Sequence, residues 1–156
     1  MVEIYTDGAT SNNGYEDSLG GWAFVFVVDG ISVYEEAGAL ANATNNRCEL
    51  TAIIKGCQRA LEFFDDEELV VLSDSAYCIN CYTQEWYKNW MKNGWINSKK
   101  EPVMNKDLWK ELIPFFKNPR FSFKKVKGHS LNKYNERADK LAKETKFSSI
   151  MEAKIC

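Results

Sequence analysis

Leu69-Val70-Val71-Leu72-Ser73-Asp74-Ser75 is the stretch on which the fold turns. Residues 69–73 make a short, continuous apolar run of the kind found in a strand buried on both faces, with an acid directly at its carboxyl end. A helix is expected to open behind that acid, over residues 75–82. In open sheets with parallel strands, chemistry collects at the carboxyl ends of the strands. The N-terminal Val2-Glu3-Ile4-Tyr5-Thr6-Asp7 has the same form, a strand expected over residues 2–6 with Asp7 after it. If the two strands are neighbours, Asp7 and Asp74 share one site.

Working outward, residues 21–28 and 31–39 flank Asp29-Gly30, a dipeptide that favours a tight hairpin, so three antiparallel strands come first. Thr44 is a plausible N-cap for a helix whose Leu50, Ile53, Ile54, Cys57 and Leu61 fall at helical spacing, with Ala52, Gly56 and Ala60 as small packing surfaces. Glu49 lies near the start of that helix. Beyond residue 83 comes an aromatic and basic segment ending near Pro102. An amphipathic helix through Leu108, Leu112, Ile113 and Phe116 follows and stops near Asn118-Pro119. Alternation over residues 120–127 predicts the last strand, Gly128-His129 opens a loop, and residues 135–146 read as a final helix with Ala138, Leu141 and Ala142 inward.

Four acids thus stand where a fold can bring them together: Asp7, Glu49, Asp74, and Asp139 opening the last helix. Like charges converging within a few ångströms raise one another's pKa values, and a divalent cation is the usual means of keeping them ionised together. Oxygen donors without Cys/His pairs favour Mg²⁺, with Mn²⁺ as substitute, over Zn²⁺.

The chain has 156 residues, 45% hydrophobic and 13% aromatic, enough for one domain with one core and incompatible with disorder throughout. No apolar stretch approaches membrane-spanning length and the N-terminus has no signal-peptide form, so a cytoplasmic protein with no membrane partner is expected. Five cysteines in an odd set, two in each of two predicted helices, are expected to be free thiols rather than a disulfide framework. Cys78-Ile79-Asn80-Cys81 lacks the further ligands of a zinc site and the flanking residues of a redox motif. A net charge of −2 gives no global attraction to nucleic acid, so any such binding must come from a local patch.

Five segments, in order and at similar spacing, resemble type-1 ribonuclease H: Thr6-Asp7-Gly8, Thr44-Asn45-Asn46-Arg47-Cys48-Glu49-Leu50, Ser73-Asp74-Ser75, Val126-Lys127-Gly128-His129 and Asn135-Glu136-Arg137-Ala138-Asp139. The resemblance covers residues 1–147 as a catalytic domain and leaves 148–156 as a C-terminal tail. It implies an α/β fold: a five-stranded mixed sheet, the first three strands antiparallel and the last two parallel to the first, flanked by helices. It also implies hydrolysis of the RNA strand of an RNA–DNA hybrid by a monomer using two Mg²⁺ ions, leaving 5′-phosphate and 3′-hydroxyl ends. On that resemblance Asp7 bridges both metals, Asp139 completes the water side, Glu49 and Asp74 the leaving-group side, and His129 assists proton transfer or product release.

The resemblance further implies contacts to the 2′-hydroxyl near Gly8, Asn46 and Glu49, and to the hybrid backbone at Asn13, Thr44 and Asn45. Lys88, Trp90, Lys92, Trp95, Lys99 and Lys100 resemble a basic protrusion in which the tryptophans pack and the lysines face phosphates. Ala76 replaces a common glutamine, Met91 and Asn93 interrupt the basic run, and the loop over residues 9–19, which contains Asn13, departs from the Gly/Pro-rich pattern. A binding-only relative should lack one of the four acids, and a different polynucleotidyl transferase does not explain the Thr-Asn-Asn-Arg-x-Glu and Lys-Gly-His segments together.

Overall fold

Every residue of the apolar run is buried, because β4 (Leu69–Ser73) lies inside the sheet between β1 (Val2–Ser11) and β5 (Phe121–Lys125) and pairs in parallel with both. The computed structural model describes residues 1–11, 19–41, 43–127 and 132–155, with side chains described as far as residue 145. Asn13 and His129 therefore lie outside the described residues. On the other side of β1, β2 (Leu19–Val28) and β3 (Ile31–Ala41) pair antiparallel, giving the order β3-β2-β1-β4-β5. The hairpin turns at Asp29 and Gly30, both at positive φ (51° and 76°), as a two-residue turn matched to strand twist requires.

Asp7 does not end β1. The strand runs on to Ser11 against β2, with Asp7 opposite Ala23. Parallel pairing with β4, however, stops at Tyr5–Leu72, so Asp7 and Asp74 both lie just beyond the shared carboxyl edge of these two strands. Thr6 seals that edge by donating its hydroxyl to the Leu72 carbonyl at 3.2 Å.

One sheet face carries Ile4, Phe24, Phe26 and Val71 against α1 (Asn45–Phe63), α2 (Ala76–Thr83) and α4 (Lys106–Phe116), which centres on the fully buried Trp109. The opposite face carries Tyr5, Val25, Val70 and Leu72 against Ala138 of α5 (Lys133–Ile155). Thr44 caps α1 as expected, accepting from the Arg47 N–H at 3.2 Å, and Ser75 caps α2 in the same way. Leu61 is an exception to the expected α1 stripe. It is exposed, because Ala60 and Phe64 take the core-facing positions at that end of the helix.

The final helix begins two residues earlier than expected and continues to Ile155, so Asp139 sits in its second turn rather than opening it, and the region read as a tail is helical. The last strand is shorter than its alternation suggested. The aromatic and basic segment is a helix, α3 (Trp86–Asn93), stopped by Gly94 at φ 81°, and the chain after it is pinned by a bridge between Ile96 and Pro102. Cys48, Cys57, Cys78 and Cys81 are buried thiols outside any disulfide, and burial pushes the Cys81 thiol up to about 12, away from a reactive thiolate. Among the described residues, no helix is long and apolar enough to cross a membrane.

Candidate active site

Gly8 decides how close α1 can come to β1. A Cβ built there would lie 2.5 Å from the carbonyl carbon of Cys48 and 2.6 Å from the backbone nitrogen of Glu49, so only a residue without a side chain allows this approach. The approach brings Glu49 to Asp7. Carboxylate oxygens of Asp7, Glu49 and Asp74 all lie within 4.8 Å of one another. The Gly8 N–H donates to Asp7 Oδ1 at 2.9 Å.

Asp7 is 3% exposed. Burial pushes its carboxyl up to about 7; a hydrogen bond from Glu49 opposes the rise, while the charge of Asp74 and the interaction with Asp139 add to it. Glu49 is held well above the usual carboxylate range, first by burial and then by the charges of Asp7 and Asp74. Without a cation, burial and mutual repulsion therefore favour the protonated over the ionised form of these carboxyls. The second Glu49 oxygen, Oε2, is enclosed with no hydrogen-bond partner. An oxygen-only donor set with excess negative charge and an unsatisfied enclosed carboxylate oxygen fits a hard divalent cation.

Asp139 reaches the centre from the opposite sheet face. It interacts with Asp7 but lies outside the tight group of three, and its Oδ2 is 2.9 Å from Lys143 Nζ one turn later on α5. The i,i+4 spacing of Asp139 and Lys143 was a sequence signal for that pair. A cleft of about 530 Å³ beside the first turn of α1, the helix that carries Glu49, is lined by Thr44, Asn45, Asn46, Tyr77, Trp90 and Asn105. Asn105 had no motif to reveal it. It donates to the Tyr77 hydroxyl at 3.1 Å and accepts from Arg47, which also grips Asp107 through both guanidinium nitrogens, so the first turns of α1 and α4 are tied across the cleft.

The expected protrusion divides as anticipated between packing and charge. Trp90 contacts Trp86, Trp95 and Trp109 at centroid distances of 5.7–6.2 Å, whereas Lys88, Lys92, Lys99 and Lys100 are exposed. Lys88 is already engaged, 2.7 Å from Glu85. Ala76 is exposed at the start of α2.

Comparison with known proteins gives this arrangement a family. Residues 1–147 match the family model described as RNase H. The chain belongs to the ribonuclease H family. It is 49% identical over 144 residues to the Ribonuclease H of Syntrophomonas wolfei, covering 91% of this chain and 93% of that one. The Ribonuclease H of Clostridium botulinum is 43% identical over 143 residues, covering 92% and 93%. Among solved structures, the PFV RNase H domain superposes with a TM-score of 0.78 at 24% identity over 94% of both chains. LC11-RNase H1 in complex with RNA/DNA hybrid gives 0.72 at 23% over 96% and 99%. At such identities these structures establish the ribonuclease H fold. The five-stranded mixed sheet, with β1, β2 and β3 antiparallel and β4 and β5 parallel to β1, is the one the resemblance implied.

Proposed function

We propose that the protein is an endoribonuclease that hydrolyses the RNA strand of RNA–DNA hybrids. The observation that carries the reading is the convergence of Asp7, Glu49 and Asp74 within 4.8 Å at a shared strand edge, in a chain of the ribonuclease H family. LC11-RNase H1 is described as bound to an RNA/DNA hybrid, which supports the same substrate class for this chain. Asp7, Glu49, Asp74 and Asp139 would hold two Mg²⁺ ions. Bound there, the ions supply a more acidic water and charge neutralisation at the scissile phosphate.

The residues then have separable tasks. Asp7 and Asp139 orient the attacking water on one side, and Glu49 and Asp74 face the leaving oxygen on the other. Water oxygen bonds to phosphorus as the P–O3′ bond breaks, so the products carry a 5′-phosphate and a 3′-hydroxyl, the latter taking up a proton. His129 would assist that proton traffic. Gly8 and Asn46 would read the 2′-hydroxyl, and Asn13, Thr44 and Asn45 would hold the backbone along the cleft. Lys88, Lys92, Lys99 and Lys100 would add phosphate contacts, with Trp90 and Trp95 as their support. A monomer acting in the cytoplasm suffices for this chemistry.

Matched hybrid, double-stranded RNA and double-stranded DNA of one sequence test the reading. Cleavage confined to the RNA strand of the hybrid, dependent on Mg²⁺ or Mn²⁺ and abolished by EDTA, is expected. Equal cleavage of all three duplexes, or cleavage in EDTA, contradicts it.

A further inference from the structure

Two buried side-chain oxygens among the described residues have no hydrogen-bond partner. One is Glu49 Oε2, inside the carboxylate centre; the other is Oδ1 of Asn135. An unpaired buried amide oxygen is costly, and such a group in a native protein calls for a water, an ion or a function. Asn135 is 3% exposed and stands one helical turn before Asp139, about 6 Å along the same face of α5. Ala138, between them, packs on the Tyr5 and Leu72 side of the sheet, and Asp139 reaches Asp7. Asn135 therefore lies on the face of α5 that carries Asp139 to the centre.

Its placement is fixed by local structure. Asn132 Oδ1 accepts from the backbone N–H groups of Tyr134 at 3.0 Å and Asn135 at 3.2 Å, capping the first turn of α5. Asn132 Nδ2 donates to the Tyr5 hydroxyl at 3.2 Å, two residues before Asp7 on the same face of β1. Arg137 adds a bidentate pair with Glu35 of β3. The turn carrying Asn135 is thus anchored to β1 and β3, and the amide has nothing of its own to accept from.

We propose that Asn135 is a positioning residue whose side-chain carbonyl accepts a hydrogen bond from a water at the Asp7–Asp139 side of the metal centre. The task needs an oxygen acceptor, which the amide supplies and a carboxylate at the same position would also supply. The inference rests on the metal-dependent reading above and extends it to the residue that orients water rather than the residues that hold the ion.

Three variants separate this from a packing role. Asn135→Leu keeps approximate volume and removes the oxygen, Asn135→Asp keeps an oxygen, and Asn135→Ala removes the oxygen if Leu does not fold. Tm without metal, Mg²⁺ binding to substrate-free protein by calorimetry, and kcat and KM on hybrid are measured for each. Expected for Asn135→Leu are an unchanged or higher Tm, Mg²⁺ binding weakened several-fold, and kcat lowered about 10-fold or more at unchanged KM, the scale seen when groups behind metal ligands are removed. Asn135→Asp should recover most of the turnover. Wild-type kcat and Mg²⁺ binding in Asn135→Leu or Asn135→Ala, or equal impairment of Asn135→Leu and Asn135→Asp, overturns the proposal. Absence of Mg²⁺ binding to the wild-type protein and to its complex with uncleaved hybrid would instead strike the metal-dependent reading itself.

Discussion

Asp7 couples the stability of the metal-free protein to pH. Its carboxyl titrates near 7 in the fold against an ordinary value of 3.8, so between those pH values the folded state holds a proton that the unfolded chain has released. Stability must then fall as pH rises through that window, by up to about 1.4 kcal/mol per pH unit for one such group, and Glu49, whose carboxyl is also held well above its ordinary range, adds to the fall. Urea unfolding in EDTA at pH 5 and pH 8 should show the protein more stable at pH 5, and Asp7→Asn should flatten the difference. A wild-type profile rising from pH 5 to 8, unaffected by the substitution, contradicts the repulsion that underlies the site. Mg²⁺ should reverse the trend, because it replaces the proton and binds better once the acids are ionised.

Gly8 offers a second test at this scale. A methyl group there meets backbone atoms of Cys48 and Glu49 rather than a movable side chain, so α1 must retreat from β1. Gly8→Ala should cost about 1–3 kcal/mol in urea unfolding, as overpacked positions do, and should lower kcat because Glu49 moves with the helix. Unchanged stability and turnover would mean that the close approach is dispensable. His129→Ala should bind hybrid normally and turn over roughly 10²-fold more slowly or less, as for an auxiliary acid or base. Weakened binding with normal turnover would assign His129 to substrate contact instead.

Among the elements, α3 and the turn after it carry the contrast between a packed interior and a charged exterior. The tryptophan cluster attaches α3 to Trp109 of α4, so the segment is a rigid support rather than a loose loop. Exchanging Lys88, Lys92, Lys99 and Lys100 for Gln should raise KM for hybrid and flatten its salt dependence by roughly 0.7–0.9 in log–log slope per lost phosphate contact. With Lys88 engaged by Glu85, its share should be the smallest of the four. An unaltered KM and salt slope in the folded variant would leave binding to the cleft around Thr44, Asn45 and Asn105.

At the scale of the molecule, the sheet was legible because its signals are strong and local: an unbroken apolar run for β4, Asp29-Gly30 for the hairpin, and Thr44 as a cap. Element ends were less legible. The second half of β1, Asp7-Gly8-Ala9-Thr10-Ser11, is small and polar and is held as a strand by long-range pairing with β2, which no local pattern announces. The four acids were legible as a set since each stands beside an element boundary or inside a distinctive segment. Asn135 and Asn105 were not, because an asparagine declares its role only through what surrounds it, and the close packing at Gly8 depends on a helix more than thirty residues away. Lys143 could have been found by its spacing from Asp139 alone.

All of these scales meet in the claim that Asp7, with Glu49, Asp74 and Asp139, makes the chain a metal-dependent ribonuclease H. The most direct test measures hydrolysis of the RNA strand of one hybrid by wild type and Asp7→Asn in saturating Mg²⁺, with Tm recorded for both. The account predicts efficient cleavage by the wild type and none above background by Asp7→Asn, whose metal-free Tm at pH 8 should match or exceed the wild type's because a buried repulsion is gone. Wild-type cleavage by a fully folded Asp7→Asn protein would contradict it.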